Sequence, residues 1–150
     1  MKQLLAVVAA VALVGTSTGD EKVAFETILK THSGGPKKAA EVVIRSEKER
    51  KAFTETCSSE NTRKFLDAVK VDFDKEVLVA VAVGPSGSVL TKTEMKQTGV
   101  QKVTSGDEVV VEYCVVTTDV QCEPNYPLYV VRIPKATTVA FKKTEKTIGG

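Results

Sequence analysis

Few side chains in this chain can do chemistry, and their spacing limits which chemistry that is. There is one histidine, His32, and there are three cysteines, Cys57, Cys114 and Cys122. Gly84-Pro85-Ser86-Gly87-Ser88 follows an apolar run, as a serine nucleophile would. The elbow that exposes such a serine needs glycine two residues after it, and position 88 is serine. A base for that turn would have to be His32, on a glycine-flanked loop. Asp72 and Asp74 flank Phe73, but a calcium loop needs oxygen ligands at further fixed positions, and no such spacing follows. The cysteine intervals do not suit zinc. The expectation is therefore no catalytic residue, no metal and no cofactor. The alternative is an enzyme of unrecognised type that uses Cys114, His32 or the Asp72/Asp74 pair.

What remains is a binding surface. Segments 84–88 and 119–127 each adjoin a strand end, and loops on a rigid scaffold commonly carry recognition. Gly84, Pro85, Ser86, Gly87 and Ser88 are thus candidates for contact with a partner. Tyr126, aromatic with a polar tip, is of the type enriched at interface hot spots, and Pro127 stands beside it.

These segments need a scaffold, and the chain supplies one after residue 19. Lys2, the apolar run 4–14 and the small residues 15–19 have the three parts of a secretory signal, with cleavage expected around 16–19. The run is too short to cross ~30 Å of hydrocarbon, which takes about 20 residues. The expected localisation is exported, periplasmic or secreted, with no membrane span after cleavage. An oxidising compartment lets a disulfide persist, and an odd count suggests one pair and one spare thiol. Cys57, at an expected helix end, and Cys122, in an expected loop, are the favoured pair. Cys114–Cys122 is the rival. Cys114 lies mid-strand, where a free thiol behaves as a small hydrophobe.

Residues 20–150 read as one α+β domain: a curved, mainly antiparallel sheet with one or two short helices packed on one side. Strands are expected at 23–30 and 41–45, then a helix opened by Ser46 with Glu49 completing a capping box. A second helical turn would carry Phe65, Leu66 and Val69. The run 77–83 is apolar throughout and mostly β-branched, which suits a strand covered on both faces. Weaker strands are expected at 89–95 and 100–104, and a hairpin turn at 105–107 leads into 108–117. There Val109, Val111, Tyr113 and Val115 share one face. A loop carrying Cys122 precedes a strand at 128–133, and 139–141 forms a last edge strand. The tail 142–150 has few anchors and is expected to fray.

Charge excludes some partners. With 21 Lys+Arg against 19 Asp+Glu the net charge is +2, too balanced for a strongly basic nucleic-acid binder. Aromatic residues do not interleave with the basic ones, so no stacking platform for single strands is expected.

Four stretches together carry a family resemblance. They are Phe25-Glu26-Thr27-Ile28 leading to Ser33-Gly34, Val43-Ile44-Arg45-Ser46-Glu47, and Val71-Asp72-Phe73 ahead of the apolar strand ending at Gly84. The last is the run from Tyr126 to Lys135, with Val139-Ala140-Phe141 after it. In these the chain resembles the exported proteins built on the PrcB carboxy-terminal domain, the protease-complex-subunit domain, over about residues 25–141. The resemblance implies a non-catalytic module that associates with a secreted or envelope protease and stabilises it. A protease-inhibitor-like module presenting the 84–88 loop is the alternative within the binding class. Family members often carry a Gly-Gly-Tyr turn after the central strand, and this chain lacks that aromatic.

Overall fold

From Val77 onward, no residue of the central strand β4 (Glu76–Ala82) is more than 3% exposed. Its two faces meet different layers, which is why both odd and even positions are apolar. Val77 and Val79 pack with Val131, Ile133, Val103 and Val111, while Leu78, Ala80 and Ala82 pack with Ile44, Phe53, Cys57 and Leu66. The structure, a computed structural model, describes residues 21–149. The expected signal segment 1–19 lies outside the described residues.

β4 belongs to an antiparallel sheet of order β2 (Glu26–Thr31), β9 (Leu128–Pro134), β4, β3 (Ala40–Ile44). One face is covered by a second sheet of order β1 (Glu21–Lys22), β6 (Gly99–Ser105), β7 (Val109–Thr118), β10 (Val139–Ile148). Val109, Val111, Tyr113 and Val115 of β7 point into the space between the sheets, as the alternation predicted. The other face is covered by α1 (Glu47–Thr54) and α2 (Glu60–Ala68). A separate antiparallel ribbon pairs β5 (Ser86–Ser88) with β8 (Gln121–Asn125). The domain is α+β and mainly antiparallel with the two longer helices on one side, its strands divided between two stacked sheets and the ribbon.

Local signals set the helix starts. Ser46 Oγ accepts from the Glu49 amide at 3.1 Å, but Glu49 returns its carboxylate to the Arg45 amide at 2.7 Å rather than to that of Ser46. Ser59 caps α2 in the same way through Thr62. Arg50 joins the two helices: its guanidinium donates to both Glu47 carboxylate oxygens at 2.7 Å and to the Leu66 and Val69 carbonyls. It also lies 5.9 Å from the centroid of the Phe73 ring.

Several expectations are corrected. Of the tail 142–150, residues 142–148 do not fray: they belong to β10, hydrogen-bonded in parallel to β7 from Val139↔Val109 to Ile148↔Thr118. Its order comes from backbone bonding rather than from apolar anchors. The segment 89–95 is not a strand. Thr91 and Glu94 form a reciprocal capping box that opens α3 (Lys92–Lys96), with Thr91 Oγ1 accepting from the Glu94 amide at 3.1 Å and Glu94 Oε1 from the Thr91 amide at 2.8 Å. The expected loop around Cys122 is β8. Of the pair on α2, Leu66 is buried and Phe65 is 46% exposed.

Cys57 and Cys122 do not form a disulfide; all three cysteines are free. Cys57 is buried in the cluster beneath the helices, and Cys122 is exposed on the ribbon, too far away to bond. Cys57, not Cys114, is thus the thiol that acts as a core hydrophobe. Burial pushes it up to about 11, partly opposed by nearby Arg63. Cys114 is half-buried on the outer face of β7.

Candidate functional site

The two segments singled out as recognition loops are hydrogen-bonded to each other. β5 and β8 pair with Ser86 opposite Asn125 and Ser88 opposite Gln121, with an irregularity between. The order is local and side-chain driven, because neither Ser-Gly-Ser nor Gln-Cys-Glu-Pro-Asn has strand periodicity. Ser88 Oγ accepts from the Thr118 amide at 3.0 Å and from Gln121 Nε2 at 3.3 Å, and Ser88 is only 3% exposed. The Ser88 carbonyl accepts from His32 Nε2 at 3.0 Å. Thr118 Oγ1 donates to the Val89 carbonyl at 2.9 Å, and the Val89 amide donates to the Val120 carbonyl at 2.8 Å. A Cβ on Gly87 would stand 2.8 Å from the Cys122 carbonyl oxygen, so the two strands approach this closely only with glycine there.

The other end of the ribbon is tied to the central sheet. The Gly35 amide donates to the Tyr126 carbonyl at 2.8 Å and the Val83 amide to the Pro127 carbonyl at 3.1 Å. Tyr126 is half-buried and Pro127 is buried, so at this base Pro127 is scaffold rather than surface. Gly84 is buried as well, at φ +83°, with Ala39 lying where a side chain would go. Pro85 is exposed.

The ribbon's apolar surface is formed by residues that flank its two strands, Val89 just after segment 84–88 and Val120 within segment 119–127. Val89 and Val120 are 44% and 57% exposed and are joined by the amide–carbonyl bond above. They are two of the three exposed large hydrophobic residues among those described. Val120 falls inside one of the segments singled out and Val89 directly follows the other, which is the signal that could have found them. Cys122, Glu123 and Pro124 are exposed beside them.

The groups weighed for catalysis lie apart. His32 and Ser88 meet beyond the C-terminal end of β4, whereas Asp72 and Asp74 precede its N-terminal end, about 20 Å away for a strand of this length. There Asp72 Oδ1 accepts from the Asp74 amide at 3.0 Å, forming a turn into the strand. Cys114, on the outer face of the second sheet, is opposite Gly99 and Thr144. Ser86 lies on β5, and His32 spends its Nε2 on a backbone carbonyl. Among the described residues no three His, Cys, Asp or Glu side chains are grouped so as to hold a metal ion, and no helix is long and apolar enough to cross a membrane. Compared with protein-family models, with curated proteins and with solved structures, the chain has no match.

Proposed function

We propose that this chain is a non-catalytic protein-binding module, exported and docking on another exported protein, in the role of a subunit that stabilises a secreted or envelope protease. The observation that carries the reading is the pairing of the two candidate loops into one ribbon whose end exposes Val89 and Val120 side by side. Adjacent exposed apolar side chains on a hydrogen-bonded scaffold suit an interface, because the scaffold loses little freedom when a partner covers them. The choice of a protease as partner rests on the family resemblance of residues 25–141. Dispersal of His32, Cys114 and the Asp72/Asp74 pair supports binding over catalysis, since acid–base or nucleophilic chemistry needs such groups within hydrogen-bond reach of one another.

The stabilising role is favoured over inhibition. An inhibitor loop must protrude into a cleft, and here residues 86–88 are paired to β8 with Ser88 buried. The test is cross-linking and affinity capture from the native envelope and medium, followed by mass spectrometry, with the wild-type chain and Val89→Asp/Val120→Asp side by side. Recovery of a stoichiometric protease by wild type alone, with a longer active lifetime when bound, is the expected result. Recovery of no protease, or equal recovery by the variant, overturns the reading; loss of protease activity on binding would favour the inhibitor.

A further inference from the structure

β10 pairs with β7 along one side only, and among the described residues no strand pairs with its other side. The other strands at the edges of the two stacked sheets, β1, β3 and β2, have two, five and six residues, against ten in β10. β10 is thus the longest template on which a further strand could be added. A second copy of the same strand is the simplest addition, because a two-fold axis sets two copies of β10 antiparallel, each residue opposite one on the same face. The faces follow from the neighbours. Phe141 packs between the sheets in register with Val111, so Lys143 and Glu145 lie on the inner face and Lys142, Thr144 and Lys146 on the outer one. Residues 142–146 are all exposed. Every two-fold pairing centred within them brings like charges together. Centring on 142, 143, 145 or 146 sets that charged residue against its own copy, and centring on 144 sets Lys142 against Lys146 twice. In that last register Lys143 also meets Glu145, but these two already bond each other within one chain at 2.7 Å. Glu112 shares the outer face with Lys142, yet it stands on β7, one strand further from the bare edge.

We propose that β10 is a closing strand: it covers the edge of the valine-rich β7, and its charges at 142, 143, 145 and 146 deny its own bare edge to a second copy of the chain. Like charges directly opposite one another destabilise a strand pair, and charged side chains, lysine above all, are a recurrent means of blunting an edge. The contrast between the two strands fits this division of labour. β7 carries Val109, Val110, Val111, Val115 and Val116, which would make a sticky edge, whereas the middle of β10 is Lys-Lys-Thr-Glu-Lys. The proposal involves no protease or other partner, so it stands or falls apart from the binding-module reading.

The test is a charge exchange, read on the full chain by sedimentation velocity and by hydrogen exchange at the β10 amides. Wild type should gain no protection at residues 142–146 as its concentration rises, and neither should Lys142→Glu/Lys146→Glu, in which glutamates meet in the same register. An equimolar mixture of the two should pair, because with 144 at the centre each Lys142 and Lys146 then faces a glutamate. Outward-pointing β10 amides should exchange about tenfold more slowly in the mixture than in either chain alone, and added salt should reduce the difference. As a second variant, Lys142→Thr/Lys143→Thr/Lys146→Thr keeps strand-forming side chains without the lysines and should associate by itself. A mixture that behaves as its separate parts overturns the proposal. So does wild type that protects its own β10 with rising concentration, or a folded threonine variant that stays as dispersed as wild type.

Discussion

Tyr113 on β7 donates its phenolic hydrogen to Glu41 on β3 at 2.5 Å, joining the two stacked sheets through one side-chain bond. Burial first, and then this bond to a carboxylate, raise the phenol above its ordinary value of 10.0. The folded chain thus holds a proton that the unfolded chain releases, and this contribution to stability is full below pH 10 and declines as the pH rises beyond it. Tyr113→Phe should cost about 1 kcal/mol at neutral pH, and the gap from wild type should narrow by about pH 11. Urea unfolding followed by circular dichroism measures both, since the chain has no tryptophan to report.

Cysteine reactivity should separate the two thiols once expected to pair. Cys122 is exposed and Cys57 is buried with its thiol pushed up to about 11. A disulfide-exchange reagent at neutral pH should label Cys122 rapidly and Cys57 only on unfolding. Mass spectrometry of the unreduced protein should find no peptide joining residues 57 and 122. The raised Cys57 value also gives stability that is present below pH 9.0 and lost as the pH rises towards 11. Cys57→Ala should remove that part of the alkaline decline while costing about 1 kcal/mol at neutral pH through lost packing.

Removing residues 142–150 should destabilise the domain rather than trim a loose end. It would strip the β10 backbone from most of β7 and break the Lys146–Gln97 bond of 2.6 Å. The expected result is a melting temperature lower by several degrees, about 4–8 °C for each kcal/mol lost in a small domain, and association through the bared edge of β7, read by light scattering. A truncation with an unchanged melting temperature would contradict the parallel pairing.

Substituting Ser88 should loosen the ribbon without touching its surface. Ser88→Ala removes the acceptor for the Thr118 amide and for Gln121 Nε2, a loss of about 1–2 kcal/mol because the amide is left buried and unpaired. Hydrogen exchange at the Val89 amide, bonded to Val120, should accelerate more than exchange in β4.

The elements that were legible are those whose signal is local. β4 could be read because every position from 77 to 82 is apolar, and a strand covered on both faces tolerates nothing else. The start of α1 could be read from Ser46 and Glu49. α3 carried the same signal in Thr91 and Glu94, yet Val89 and Leu90 before it gave that stretch the look of a strand. β10 was illegible because Lys142-Lys143-Thr144-Glu145-Lys146 owes its conformation to the neighbouring strand, not to its own side chains. The ribbon's segments were singled out one by one from turn chemistry. Their pairing was not, since it depends on Ser88, Thr118 and His32 meeting across the fold. Val120 fell within a marked segment and Val89 beside one, but that they form the ribbon's exposed apolar surface could not be read, because exposure is a tertiary property.

The strand order of the central sheet also sets when the protein can fold. β2 and β4 are not neighbours; β9 lies between them, its residues Leu128 to Pro134 bonded to both. The N-terminal strands therefore have no complete sheet to join until β9, far along the chain, has been made. Closing so long a span carries an entropy cost before any contact repays it, so folding should be slow.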